Sequence, residues 1–172
     1  MGAIGTLGTA MTGQPAARAA AMPVGESSRT TQPGAGPLLA GLDAAGVPCA
    51  LVTASSRAIM DAVLKVTGLS FGVTVCGEDV QRGKPEPEPY LRAAALLGVP
   101  PARCVVLEDS PTGIAAARAA GCPVIAVPSV PVPPGPGLVV VRSLEDVSID
   151  LLEDVVTGNF EDPGQAVTEK SR

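Results

Sequence analysis

Apolar runs of strand length alternate with segments of helical spacing from residue 37 to residue 156, and this alternation limits the possible folds most. The runs are apolar throughout, which is typical of strands buried on both faces. Strands that alternate with helices form parallel sheets through right-handed crossovers. The sequence therefore predicts an α/β fold, a three-layer doubly wound parallel sheet with a Rossmann-like layout. The predicted strands are 47–53, 72–76, 103–108, 123–127 and 138–141, and the predicted helices are 37–46, 56–68, 88–98, 111–121 and 143–156.

Both ends of the chain lack this pattern. Residues 1–32 are rich in Gly, Ala, Ser, Thr and Pro without a sustained period, so we interpret them as an irregular or disordered segment. Residues 159–172 are predicted to form a polar C-terminal tail. The interval 33–158 is then the one domain of the chain.

Composition excludes several classes of function. A net charge of −5 and 2% aromatic residues argue against a nucleic-acid partner, and no apolar run is long enough to span a membrane. The absence of His removes His-dependent catalysis and His-ligated zinc. The four cysteines form no C-x-x-C pair, and we interpret them as buried thiols of a cytoplasmic protein.

Polar residues follow three of the predicted strands. Thr53 and Ser55 follow the first and begin a helix, Lys84 lies in a Gly-Pro loop after the second, and Glu108 and Asp109 end the third. Parallel strands bring their carboxyl ends to one crevice. Hydroxyls and amides at a helix N-terminus suit an anion, and neighbouring carboxylates suit Mg²⁺. The sequence predicts a site for phosphate and Mg²⁺.

Each feature also has an ordinary structural explanation when it is taken alone. Thr53 and Ser55 can be a simple helix cap, Lys84 a surface lysine, and Glu108 with Asp109 a solvated strand end. The acids Glu78 and Asp79 are expected to be solvated loop residues. The order and spacing of the set favour the functional interpretation.

Three strings carry a resemblance to a known family: LVTASS at 51–56, RGKPEPEPY at 82–90 and VVLEDSPTGIAAARAAG at 105–121. They resemble motifs two, three and four of the haloacid dehalogenase-like (HAD) hydrolase superfamily, in its β-phosphoglucomutase and phosphatase branch. The similarity runs from about residue 33 to 128. It implies Mg²⁺-dependent phosphoryl transfer through an aspartyl-phosphate, with a small phosphorylated metabolite as the partner.

The resemblance also implies roles for individual residues. Thr53 and Lys84 take part in catalysis and bind the phosphate together with Ala54 and Ser55. Lys84 bridges the phosphate and the nucleophile, and the metal ligands are Glu108 and Asp109.

The family's first motif is absent from this sequence. It is an Asp-x-Asp at the end of the first strand, and none of the aspartates here has a second aspartate two positions away. Because this motif ends the family's first, central strand, we expect an incomplete core without that strand. The helical cap of this branch is absent too. The stretch AIGTLGTAM at 3–11 is a weak, Gly-rich candidate for that slot.

Two hypotheses remain open. The first is an enzyme acting on a small phosphomonoester such as a sugar phosphate, phosphatase or mutase, of which this is a truncated product. The second is a catalytically inactive remnant that binds phosphate, metal or a partner chain. In either case we expect little or no activity from the 172 residues, and the sequence leaves the substrate and the oligomeric state open.

Overall fold

A computed structural model describes residues 6–9, 32–127, 130, 132–133, 135 and 137–159, with 6–9 described by their backbone. The strands are β1 (Thr6–Thr9), β2 (Cys49–Val52), β3 (Val73–Val75), β4 (Val106–Glu108), β5 (Val124–Ala126) and β6 (Leu138–Val140). The helices are α1 (Ala35–Ala44), α2 (Arg57–Thr67), α3 (Glu88–Leu97), α4 (Pro111–Ala119) and α5 (Ile149–Thr157). Short 3₁₀ turns cover Gly77–Asp79, Pro101–Arg103 and Leu144–Asp146.

The strands form one six-stranded sheet in the order β3-β2-β1-β4-β5-β6. The pairs β2–β3, β4–β5 and β5–β6 are parallel, as the apolar strand pattern predicts. Helices α2 and α3 end at Gly68 and Gly98, whose positive φ angles of 69° and 71° stop a helix at little cost for glycine. The predicted α/β class is confirmed, and the elements from α1 to β6 lie close to their predicted positions.

The central slot of the sheet is occupied by β1, which runs antiparallel to both neighbours. Leu7 pairs with Leu51 on one side and with Leu107 on the other. A backbone ladder forms in either direction, and without β1 the facing edges of β2 and β4 would be buried without partners. This requirement overrides the weak strand propensity of the Gly-containing segment. The slot thus has a strand, and the rest of the predicted irregular segment 1–32, apart from residue 32, lies outside the described residues.

Helices α2 and α3 pack on opposite faces of β2. Ala50 and Val52 belong to the main core cluster, which includes residues of α3. Leu51 points to the other face, because side chains alternate along a strand, and it packs with Met60 of α2. Helices therefore cover both faces, and the core lies in two layers on either side of the sheet.

The C-terminal segment differs from its prediction. One helix was expected over 143–156, but a 3₁₀ turn precedes α5 and the two are separate. The Ser148 hydroxyl accepts a hydrogen bond from the Leu151 N–H, and Ser148 itself has an extended backbone. A serine that caps the following turn competes with helix continuation, so the break lies at Ser148.

Among the residues that the structure describes, no helix is both long enough and apolar enough to cross a bilayer.

We expect Leu107→Ala to destabilise the domain strongly. Leu107 has no exposed surface at the centre of β4, so the substitution removes buried methyl groups and leaves a cavity. The free energy of unfolding in urea should fall by about 2–5 kcal/mol. Leu96→Ala is the matched control, because Leu96 is 55% exposed and should cost less than about 1 kcal/mol. Equal losses in the two variants would contradict this account of the core.

Candidate active site

The predicted site residues converge at the carboxyl ends of β2 and β4. Thr53, Glu108 and Asp109 are the buried polar residues there, with exposed fractions of 3%, 1% and 5%. The Lys84 ammonium lies among them, 2.6 Å from Glu108 Oε1 and 3.4 Å from the carbonyl oxygen of Val52. The structure thus brings together residues that are 24 and 32 positions apart in the chain.

The Glu108 carboxylate is held by donors on both oxygens. Oε1 accepts from Lys84 Nζ at 2.6 Å and from the Tyr90 hydroxyl at 2.7 Å. Oε2 accepts from the N–H groups of Asp109 and Ser110 and from the Ser110 hydroxyl, each at 3.0 Å. A buried carboxylate is tolerated only when a cation and hydrogen bonds compensate for its lost hydration. Glu108 therefore works as the structural anchor of the site.

Glycine at position 113 makes room for this carboxylate. A Cβ atom on Gly113 would lie 1.8 Å from Glu108 Oε1, so the Glu108 carboxylate would have to move. Ser110 caps α4, since its hydroxyl accepts from the Gly113 N–H at 3.1 Å and Pro111 opens the helix. The first turn of α4 and the carboxylate of Glu108 are built around each other.

Lys84 is positioned by its surroundings as well as by Glu108. Its ammonium lies 5.1 Å from the centre of the Tyr90 ring, within the range of a cation–π contact. The Glu88 carboxylate accepts from the N–H groups of Gln81 and Arg82 at 2.8 and 3.0 Å and so fixes the loop that carries Lys84. These bonds, that of Gln81 first, lower the pKa of Glu88.

Tyr90 and Glu88 are site residues that the sequence interpretation missed. The available signal was the string RGKPEPEPY itself, because it ends on the chain's single tyrosine. Nothing in the spacing showed that this hydroxyl would reach Glu108, which lies 18 positions further on.

Asp109 differs from Glu108 in having an open oxygen. Its Oδ1 atom is buried and has no hydrogen-bond partner among the described residues. Burial, followed by the charge of Glu108, raises the pKa of Asp109 to about 6. A buried carboxylate oxygen without a donor is an unfavourable arrangement unless a cation or another donor binds it.

These residues fit a hard cation that keeps several water ligands. The open ligand atom, Asp109 Oδ1, is an oxygen, and Mg²⁺ is commonly held by one or two carboxylates together with water and phosphate. No group of three or more Asp, Glu, Cys or His side chains that could hold a metal occurs in the described part of the chain. Asp109 is thus the residue best placed for a metal, and the predicted metal role of Glu108 and Asp109 stays a prediction.

The loop between β2 and α2 carries the predicted phosphate-binding residues. The Thr53 hydroxyl oxygen accepts from the Ser55 N–H at 3.0 Å, and the Thr53 N–H donates to the Val75 carbonyl oxygen at 2.8 Å. The Thr53 hydroxyl still has its own hydrogen to donate. Ala54 is exposed between the two hydroxyl residues. The loop therefore presents its tip to solvent while its base is fixed in the sheet.

Glu78 and Asp79 were expected to be solvated loop acids. Only Glu78 is solvent-exposed, and both carboxylates accept hydrogen bonds. Glu78 is exposed, but its Oε2 accepts from the Arg57 N–H at 3.3 Å. Asp79 is half-buried and accepts from the Cys76 N–H at 2.9 Å and from the Arg57 guanidinium. The Cys76 N–H is the largest of the causes that lower the pKa of Asp79.

Comparison with known proteins shows the family of the chain. A family model described as haloacid dehalogenase-like hydrolase matches residues 2–121. The chain belongs to the haloacid dehalogenase-like hydrolase family. The match begins well before the motifs that first indicated it, and it includes Thr53, Lys84, Glu108 and Asp109.

Three proteins are similar to this chain in sequence or fold. Hexitol phosphatase A of Escherichia coli is 50% identical over 99 residues, which are 57% of this chain and 46% of that protein. CbbY from Rhodobacter sphaeroides, solved in complex with phosphate, has a TM-score of 0.66 at 30% identity and covers 72% of this chain and 59% of its own. β-Phosphoglucomutase of Clostridium difficile shares the fold, with a TM-score of 0.62 at 24% identity and coverages of 75% and 57%. The chain spans about half the length of the curated relatives it matches.

Gly113→Ala should destabilise the protein, although alanine normally favours a helix. The new methyl group would displace the Glu108 carboxylate from its donors, and we expect a loss of about 2–4 kcal/mol in the free energy of unfolding. Gly41→Ala in α1 is the matched control. A Cβ there meets nothing within 4 Å, so this variant should gain about 0.5–1 kcal/mol. Opposite signs in urea unfolding are expected, and a gain for both variants would contradict the packing described for Glu108.

Asp109→Asn should stabilise the metal-free protein at neutral pH. The folded-state pKa of about 6 lies above the ordinary value of 3.8, so the folded state binds more protons and loses stability as pH rises through this interval. The advantage of the variant over the wild type should grow from near zero at pH 4 to about 1–3 kcal/mol at pH 7.5. Urea unfolding with a chelator present measures it. An advantage that does not change with pH would show that Asp109 titrates normally.

Proposed function

We propose that this protein is a HAD-family phosphotransferase, a Mg²⁺-dependent phosphatase or phosphomutase acting on a small phosphomonoester such as a sugar phosphate. The observation that carries the proposal is the buried Lys84–Glu108 pair beside Asp109, whose Oδ1 has no partner among the described residues. A cation, a fixed carboxylate and an open carboxylate oxygen at the ends of parallel strands form a polar site suited to a metal and a phosphate.

The phosphate is proposed to lie over the loop between β2 and α2. The Thr53 hydroxyl and the Ala54 N–H would donate to its oxygens, while the Ser55 N–H is already bonded to Thr53. Ser55 would therefore contribute through its hydroxyl. Lys84 would supply positive charge from the other side, held in place by Glu108 and the Tyr90 ring.

Asp109 is proposed as the main metal ligand from this chain, with Glu108 behind it. Mg²⁺, when bound, would offset the negative charge of the carboxylates and of the phosphate. Glu108 would orient Lys84, because the buried carboxylate and the ammonium are 2.6 Å apart.

The family resemblance places the nucleophile on an Asp-x-Asp motif that the present sequence does not contain. We therefore propose that the aspartyl-phosphate forms on an aspartate outside these 172 residues, and that these residues alone turn over phosphate esters slowly or not at all. Substrate choice would depend on a helical cap of the kind that this branch of the family carries. The names of the relatives, hexitol phosphatase among them, support a small phosphorylated metabolite as substrate.

A second candidate is a non-catalytic protein that binds phosphate, metal or a partner chain. It is favoured by β1, because the central slot is filled by the antiparallel Thr6–Thr9 segment, which contains no carboxylate. For either candidate we propose the reducing cytoplasm as the location, with neither nucleic acid nor membrane as a partner.

Calorimetry on the 172-residue chain tests the site. Mg²⁺ and inorganic phosphate should bind, and Asp109→Asn should weaken Mg²⁺ binding about tenfold or more, since it removes the open oxygen's charge. Asp43→Asn is the control, because Asp43 is exposed on α1 near the amino end of β2. Absence of binding by the folded wild type would overturn the proposal.

Turnover of sugar phosphates separates the two candidates. Rates at background are expected for these 172 residues. Robust Mg²⁺-dependent turnover that disappears in Asp109→Ala would prove the expected inactivity wrong and would favour a nucleophile within the sequence. Binding without turnover is consistent with both candidates, and a longer form of the chain that carries Asp-x-Asp and is active would then favour the enzyme.

A further inference from the structure

Hydrogen bonds hold the loop at 53–56 to β3 and to the turn that follows β3. The Thr53 N–H donates to the Val75 carbonyl oxygen at 2.8 Å, and the Gly77 N–H donates to the Ser55 carbonyl oxygen at 2.9 Å. A Cβ atom on Gly77 would lie 2.7 Å from the Ala54 carbonyl oxygen. The two backbones are therefore in direct contact, and a shift of one moves the other.

The first residue of α2 is held by both acids of this turn. Arg57 donates its backbone N–H to Glu78 Oε2 at 3.3 Å and its guanidinium to Asp79 Oδ2. Asp79 also accepts from the Cys76 N–H at 2.9 Å, so one carboxylate oxygen joins the end of β3 to the start of α2. The same bonds, the Cys76 one first, lower the pKa of Asp79 and keep it ionised.

We infer that the Arg57–Asp79 ion pair is a positioning device for the loop at 53–56, fixing the direction in which Ala54 and Thr53 present their donors. The ligand part of this inference rests on the proposed function, since it takes phosphate as the anion bound there. The structural part concerns the order of the loop alone. Neither residue belongs to the set that the sequence assigned to the site.

The sign of the electrostatic effect makes the inference testable. Carboxylates at the rim of an anion site repel the anion, so removing one should tighten phosphate binding if charge alone matters. A positioning role gives the opposite sign, because a loop that has lost its fixed geometry must be ordered when the anion binds.

The first experiment measures the Kd for inorganic phosphate by calorimetry at low ionic strength. Asp79→Asn keeps the shape of the side chain and removes its charge, and it should weaken binding about tenfold. Asp61→Asn is the matched control, because Asp61 is exposed on the same helix and its charge also acts on Arg57. The control should bind phosphate equally or more tightly. Equal or tighter binding by Asp79→Asn would overturn the inference.

Three further variants test whether the ion pair acts as a unit. Arg57→Gln should weaken phosphate binding as Asp79→Asn does. The double variant should bind phosphate no more weakly than each single variant. Arg57→Lys restores a cation and should recover part of the affinity. Additive losses, or no recovery with lysine, would show that the two residues act separately and would contradict the inference.

Amide hydrogen exchange in the ligand-free protein gives a readout independent of phosphate. In Asp79→Asn, exchange at residues 54–57 should become about tenfold faster, while α4 should be unchanged. Unchanged exchange at 54–57 would overturn the inference even if phosphate binds. If the wild type fails to bind phosphate but the exchange result is as expected, the proposed function fails and the positioning of the loop stands.

Discussion

The buried pair of Lys84 and Glu108 is the interaction on which the site depends. Taking a single one of these charges away would leave the other without compensation in a nearly dry environment, at a cost of about 3–5 kcal/mol. The surrounding residues serve the pair: Tyr90 and Ser110 donate to the carboxylate, and Gly113 leaves space for it. Removal of any of these supports therefore affects the charge balance of the site as well as local packing.

Asp109 shows the cost of keeping a site ready for a ligand. Glu108 is satisfied by five donors, whereas the next carboxylate along the chain has a buried oxygen without a donor in the part of the chain that the structure describes. Its raised pKa means that the ionised form destabilises the ligand-free protein at neutral pH. Such local instability is common at functional sites, where pKa values are often perturbed. The satisfied carboxylate and the open one are thus adjacent in sequence but opposite in their effect on stability.

The sheet requires a strand in its central position. Strands β2 and β4 need a partner between them, and the Thr6–Thr9 segment supplies backbone groups without supplying an acid. The candidate site consequently has the β2–α2 loop, the lysine and the two carboxylates, whereas the Asp-x-Asp motif has no counterpart in the sequence. This combination explains why binding and turnover are separate questions for this protein.

The sequence by itself determined the α/β class and the grouping of Thr53, Lys84, Glu108 and Asp109. These follow from the local apolar pattern and from the rule that parallel strands end at one edge. Tertiary structure alone decided the antiparallel direction of β1, the bond from Tyr90 to Glu108 and the ion pair between Arg57 and Asp79. Each of these depends on distances between residues remote in the chain, and periodicity or residue type contains no information on such distances. The open oxygen of Asp109 also depends on the tertiary structure, because the positions of the surrounding groups decide whether a carboxylate has a hydrogen-bond donor.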